Sequence, residues 1–338
     1  MININNNEKG IALIMVLWVM VLLIAMGTEF ALSMKTEVNT TRNFKEDTET
    51  YYLAKAGMNL AKAEILSDAQ FHSWTEEKGF IFGPVASGDN ENDNQTPSAV
   101  EPQAQPEEEL EKLEPPQRTE LPLGKGFIHY SIRDENGKID INTASRDLLV
   151  KALAVNGLTQ GSERDIIADS ILDWIDKNDQ HRVNGAESDY YRGLSPAYSA
   201  KNGPLDSLEE LLKVRGVTPE LFYGSEEYKS QESSGEENAP GLTRIFTVQG
   251  VPQFNSNTAE RAVLEIMYPK ILVDEILATK QERGWYNRAK STHFKIEATG
   301  KFEHSPTQHT IVAIIEKQQT EDEATLLTRY WNDNLIRR

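Results

Sequence analysis

Residues 11–28 read IALIMVLWVMVLLIAMGT, eighteen uncharged and mostly apolar residues that begin ten positions from the start. At about 1.5 Å of rise per residue, a helix of that length crosses most of the hydrocarbon core of a bilayer. A helix buried in a soluble core would still carry polar residues at helical spacing on its outer face. This run has none. The sequence therefore predicts a membrane anchor at the N-terminus, with the rest of the chain presented by it.

The flanks of the anchor narrow its type. The leader MININNNEKG contains one Lys and one Glu, whereas a secretory signal peptide opens on a basic segment and ends in a small-residue cleavage site. Beyond Thr28 the chain continues without proline, and Tyr51, Ala54, Met58, Ala61 and Ile65 recur at three-and-four spacing. That stripe suits packing on a sheet. A single helix from Ile11 to Leu66 would run roughly 80 Å, half in lipid and half out. The residues alone also fit a plain signal anchor in which Gly10 is incidental. A short hydrophilic leader ending in Gly10, then an apolar helix that turns amphipathic, resembles the prepilin class of type IV pilins and type II secretion pseudopilins. The resemblance implies cleavage between Gly10 and Ile11 by a prepilin peptidase, with N-methylation of the new first residue. It also implies Glu at the fifth mature position, where this chain has Met15. A carboxylate in lipid is costly unless paired, so its absence suggests a subunit with no more distal neighbour to pair with, at a filament tip.

Composition bounds the remainder. The chain has 338 residues, room for two bodies beyond the anchor, and no cysteine, which removes disulfides and thiolate-held metals. A formal charge of −18 argues against nonspecific affinity for nucleic acid or anionic lipid. Residues 86–120 hold ten Asp/Glu against two Lys/Arg, with five prolines and no aromatic residue. Such a stretch cannot bury enough surface to offset its ordering entropy and is expected to be a disordered acidic loop. Residues 224–241 read as a shorter one.

Phe127–Arg133 alternates in period two, and Asn136-Gly137 offers a tight turn into Ile139–Ile141. His293–Gly300 and Thr310–Glu316 form a similar pair around Ser305-Pro306. Four strands around a helical stretch predict an α+β fold: a long N-terminal helix packed on an antiparallel sheet, with a large, mostly α-helical domain inserted. The expected boundaries are a leader at 1–10, the helix at 11–68, sheet at 121–141 and 291–318, the insertion at 142–290 and a tail at 319–338. Helices are expected at 145–155, 162–176, 206–214, 258–267 and 270–283. In the tail, Leu326, Leu327, Tyr330, Trp331 and Leu335 fall at helical spacing.

The insertion repeats itself weakly, Ile141-Asn-Thr-Ala-Ser-Arg146 matching Ser256-Asn-Thr-Ala-Glu-Arg261. Asn or Thr at these positions is expected to accept from first-turn N–H groups. The motif also opens helix-hairpin-helix modules, with Asn156-Gly157-Leu158 and Arg215-Gly216-Val217 as candidate hairpins. Residues 140–290 carry 24 acidic and 17 basic side chains and no basic cluster, which argues against a nucleic-acid partner.

Asp173-Trp-Ile-Asp-Lys-Asn-Asp179, Gly185-Ala-Glu-Ser-Asp-Tyr-Tyr191, Lys201-Asn-Gly-Pro-Leu-Asp-Ser-Leu-Glu-Glu-Leu211 and Val214-Arg-Gly-Val-Thr-Pro219, in this order, resemble the GspK family of type II secretion minor pseudopilins. The acidic loop at 86–120 has no counterpart expected in that family. The resemblance implies a non-enzymatic subunit at the tip of a short pseudopilus that exports folded proteins across the outer membrane. It would sit in the inner membrane by a single pass, with its C-terminal domain in the periplasm. Implied partners are minor pseudopilins of the GspI, GspJ and GspH type, the prepilin peptidase and the exported proteins, and the inserted domain is associated with calcium. A minor type IV pilus tip subunit, or a membrane-anchored DNA receptor using the Asn-Thr-Ala hairpins, are the alternative readings.

The residues point to a cation by themselves. Asp169, Asp173 and Asp176 share one helix face, and Asp176 falls near the helix C-terminus, where the negative end of the dipole calls for positive charge. Asp179, Glu187 and Asp189 follow in one loop. Hard oxygen donors without cysteine favour Ca²⁺ over zinc or copper. The expected ligands are Asp176, Asp179, Glu187 and Asp189, with Asn202 or a backbone carbonyl; the same residues also fit a solvated acidic loop with Arg182 and Arg192 as partners. The loop places Asn178, Asn184 and Glu187 at EF-hand positions three, nine and twelve, but His181 replaces the required glycine at six. Trp174 reads as a core anchor, and His304 and His309 as surface residues. No nucleophile–base pattern, phosphate-binding glycine loop or His-Glu-x-x-His motif is present, so an enzyme is not expected.

Overall fold

The computed structural model describes residues 8–67, 69–75, 78–83, 116–158, 160–224, 239–319 and 324–333. One continuous helix, α1, runs Glu8–Leu66. Thr28, Thr36, Thr40 and Thr48 each return their hydroxyl to the carbonyl four residues back, which accommodates β-branched residues in an exposed helix. From Leu13 to Phe44 its large apolar side chains are exposed, and one stretch is long and apolar enough to cross a membrane. Its last turns are buried, as the stripe predicts. Ala54, Met58, Ala61 and Ile65 are fully enclosed, and Tyr51 packs at the margin.

What they pack on is an antiparallel sheet of order β3-β4-β7-β8-β9. Its strands are β3 (Leu121–Leu123), β4 (Gly126–Asp134), β7 (His293–Phe302), β8 (Gln308–Gln319) and β9 (Ala324–Asn332). β4 alternates buried and outward residues along its length, so Ile128, Tyr130 and Ile132 join Phe294, Ile296, Ala298, Ile311, Ala313 and Ile315 under the helix. Two glycines set the helix–sheet distance. A Cβ on Gly57 would come within 2.7 Å of Ile128 Cγ2, and one on Gly300 would strike the Thr50 carbonyl and lie 2.5 Å from Leu53 Cβ.

Several expectations are corrected. Ile139–Ile141 does not fold back on β4. Instead β5 (Ile139–Asp140) pairs in parallel with β6 (Phe246–Thr247) inside the insertion, and β4 pairs with β3 and β7. The tail is strand, not helix. β9 completes the open edge of β8, with Leu326 packed on the core, Leu327, Tyr330 and Trp331 exposed, and Leu335 outside the described residues. Lys62 of α1 lies over the Trp331 ring. The far end of the acidic loop is also structured. Arg118 binds Glu64 bidentately and the Phe80 carbonyl, so packing resumes before residue 120, whereas residues 84–115 lie outside the described residues. A hairpin not read from the sequence, β1 (His72–Thr75) with β2 (Gly79–Phe82), covers the end of α1.

The insertion has its own core and matches the expected helices closely. It holds α2 (Arg146–Val155), α3 (Ser162–Ile175), α4 (Ser188–Arg192), a 3₁₀ turn at Leu208–Lys213, α5 (Pro219–Tyr223), α6 (Leu242–Ile245), α7 (Arg261–Met267) and α8 (Lys270–Arg283). Every buried member of its apolar cluster lies between Ile139 and Ile276, separate from the cluster beneath α1.

The two bodies meet at a buried polar knot. Asp134 accepts from Asn255 Nδ2, Ser291 Oγ, Thr258 Oγ1 and the Asn136 amide. Asn257 donates to the carbonyls of His72 and Asn287 and accepts from the Tyr286 and Asn287 amides. Asn142, its repeat equivalent, holds Leu205 through both its amide and its carbonyl. The paired asparagines thus staple distant segments instead of capping helices; Ser145 caps α2, and Glu260 begins α7 without a side-chain cap.

Burial pushes the Asp134 carboxyl up to about 6, partly offset by hydrogen bonds from Ser291, Thr258 and Asn136. The native state then holds this proton more tightly than the unfolded chain. Its contribution to stability is complete below pH 4 and is lost as pH rises through 6, by up to about 3 kcal/mol. In thermal melts of the detergent-solubilised chain, Asp134→Asn is expected to flatten the decline between pH 4 and 6. Parallel pH profiles for wild type and variant would refute this.

Candidate metal centre

The C-terminal half of α3 builds the site. Ile167, Ala168, Ile171 and Trp174 face the core, and Trp174 meets the Tyr191 ring edge-on at 5.0 Å, in the anchoring role expected of it. The same packing draws Asp173 wholly inside, one turn before Asp176, the C-cap of the helix. Asp176 Oδ1 accepts from the amide and side chain of Asn178, which turns the chain out of the helix. The loop returns over Asp173 at Gly185, whose backbone abuts the carboxylate so closely that no side chain fits there. Glu187 follows, at the start of α4.

Carboxylate oxygens of Asp173, Asp176 and Glu187 lie within 4.8 Å of one another. Asp173 and Asp176 share Nη1 of Arg182, at 2.6 Å from each. Glu187 is 1 % exposed, and neither of its oxygens has a hydrogen-bond partner. Burial first, then the charges of Asp173, Asp176 and Asp179, push its carboxyl up to about 7. Asn202 Oδ1 is likewise buried without a partner, on a residue held at a φ of 50°. Its Nδ2 reaches Asp179, 3.4 Å away, and Asp179 also accepts from the Ser188 amide. Buried oxygens left unmatched cost free energy unless something cationic meets them. This donor set, all oxygen and strongly anionic, fits a hard divalent ion.

Of the five expected ligands, Asp176 and Glu187 fall in the cluster, and Asp179 and Asn202 adjoin it. Asp189 does not. α4 turns Ser188 and Tyr191 inward, leaving the Asp189 side chain largely exposed and paired with His181 Nε2 at 2.9 Å. Asp169 is occupied by Arg146 and Asn184. Asp173 belongs to the cluster although it is not among the expected ligands; its place on the same helix face, three residues before Asp176, is the signal the sequence carries. Among the remaining histidines, His304 is exposed, and His309 stacks edge-on against Tyr51. At the candidate hairpins Gly157 and Gly216 have positive φ. Arg215 is engaged internally, its guanidinium over the Tyr190 ring and bonded to the Gly185 carbonyl.

A membrane-length helix whose amphipathic half lies on an antiparallel sheet, with a helical body inserted between β4 and β7, is the α+β architecture expected from the sequence. The family model described as type II secretion system (T2SS), protein K, matches residues 133–228, which contain the whole carboxylate cluster. An Escherichia coli strain K12 protein named for type II secretion system protein K is 25% identical over 230 residues, 64% of this chain and 61% of that protein. Type II secretion system protein K of Aeromonas hydrophila is 29% identical over 133 residues, 37% of this chain and 36% of its own. The chain thus spans less than two thirds of either relative. The crystal structure of the GspK-GspI-GspJ complex from enterotoxigenic E. coli aligns with a TM-score of 0.44 and 17% identity, covering 64% of this chain and 82% of that one. Over residues 133–228, and over the stretches shared with these relatives, the chain is similar to type II secretion system protein K.

Proposed function

We propose that this chain is the non-enzymatic tip subunit of a type II secretion pseudopilus, initiating or capping its assembly for export of folded proteins. The observation that carries this reading is Met15 on a helix otherwise built to pack among like helices. With no carboxylate there, the subunit has nothing to offer the amine of a neighbour placed above it. The inserted body supports the same reading by adding bulk at one end of the sheet domain. In this reading prepilin peptidase cleaves between Gly10 and Ile11, α1 enters the inner membrane, and the sheet and inserted body stand in the periplasm. Partners are minor pseudopilins of the GspI, GspJ and GspH type. Calcium held by Asp173, Asp176 and Glu187, with Asn202 and Asp179 beside them, fastens the loop after α3 to the inserted core.

Met15→Glu tests the tip assignment. Because the inserted body still blocks addition above the subunit, the variant is expected to leave the copy number per pseudopilus unchanged in quantitative mass spectrometry of sheared filaments, with mature chains beginning at Ile11. Incorporation along the filament body would overturn it. Calcium at about a hundred times its Kd is expected to stabilise the solubilised chain by about 2.7 kcal/mol. Glu187→Gln should remove most of that gain, and an equal gain in the variant would count against the site.

A further inference from the structure

We propose that Arg182 is a resident competitor for the cation, so that a divalent ion enters by displacing its guanidinium. The inference rests on the cation-site reading above. A single nitrogen, Nη1, lies 2.6 Å from Asp173 Oδ1 and 2.6 Å from Asp176 Oδ2. Calcium lies about 2.3–2.6 Å from its oxygen ligands, so Nη1 stands where an ion bridging these carboxylates would stand. The guanidinium is permanently charged and has no acceptor with which to greet an incoming cation. The two cannot share that point.

An exit is built in. The Arg182 side chain is 37% exposed, and Val183 after it is 98% exposed, so the guanidinium has solvent on one side into which it can move. The arginine also matches only two of the three clustered carboxylates. It covers Asp173 and Asp176, whereas the Glu187 carboxylate in the same cluster is unmatched, as is the buried Asn202 Oδ1 beside Asp179. A monovalent ion replacing Arg182 exchanges one charge for one and gains little. A divalent ion doubles the charge and can draw Glu187 and Asn202 in as ligands. Arg182 therefore acts as a specificity-determining residue, rejecting monovalent ions and raising the calcium concentration at which the site fills.

The test is calorimetric titration of the full detergent-solubilised chain with CaCl₂, comparing wild type with Arg182→Gln. The variant is expected to bind about tenfold more tightly, since its glutamine leaves the bridging point open. In wild type, calcium is expected to increase phenylglyoxal modification of Arg182, read by peptide mass spectrometry, a measurement that needs no variant. Weaker or unchanged calcium binding in Arg182→Gln, with wild type still binding, overturns the competition and leaves the site standing. Equal Arg182 modification with and without bound calcium does the same. Absence of calcium binding in both proteins overturns the site reading and the competition with it.

Discussion

Trp174→Ala is expected to destabilise the inserted domain by about 3–5 kcal/mol, the usual range for removing a fully packed tryptophan. The ring is buried against Tyr191 and Tyr198. It lies on the helix that carries Asp173 and Asp176, so the carboxylate cluster should lose its geometry as the core loosens. The apolar clusters of the two bodies share no residue, and therefore the damage should stay local. Hydrogen exchange read by mass spectrometry should show α2, α3 and α4 approaching unfolded rates while β4, β7 and β8 keep their protection. Loss of protection spread evenly over both bodies would contradict two separately stabilised cores.

Gly300→Ala should act on the other body. Its Cβ would strike the Thr50 carbonyl and lie 2.5 Å from Leu53 Cβ and 2.7 Å from the Ala54 amide, all parts of one helix face. Backbone cannot rotate aside as a side chain can, so α1 must lift from β7, and overpacking of this kind costs about 3 kcal/mol. The expected result is a lower melting temperature with exchange rising in residues 50–66, and α3 unaffected. An unshifted melt would mean that helix and sheet do not approach so closely at Gly300.

How much of this was legible follows from how local each signal is. α1 and the β7–β8 pair are written in periodicities that depend on neighbours only, and they fold as read. The tail misled because Leu326, Leu327, Tyr330 and Trp331 fit helical spacing as well as an edge strand, and only the open side of β8 decides between them. Asn142 and Asn257 looked like caps because their true partners, Leu205, His72 and Asn287, are far along the chain. At the cation site the residue types were readable but not their directions. Asp189 is near Glu187 in sequence yet faces out of a five-residue helix, whereas Asp173, one turn back on α3, faces in.

Asp134 stands opposite Phe294 in the β4–β7 ladder, and the Glu135 amide reaches the His293 carbonyl. Topologically, then, the entire helical body occupies the place of a hairpin turn. It can enlarge, shrink or change its surface without altering a single strand pairing beneath it. Such an arrangement separates the part of the molecule whose strand register is fixed from the part free to diversify.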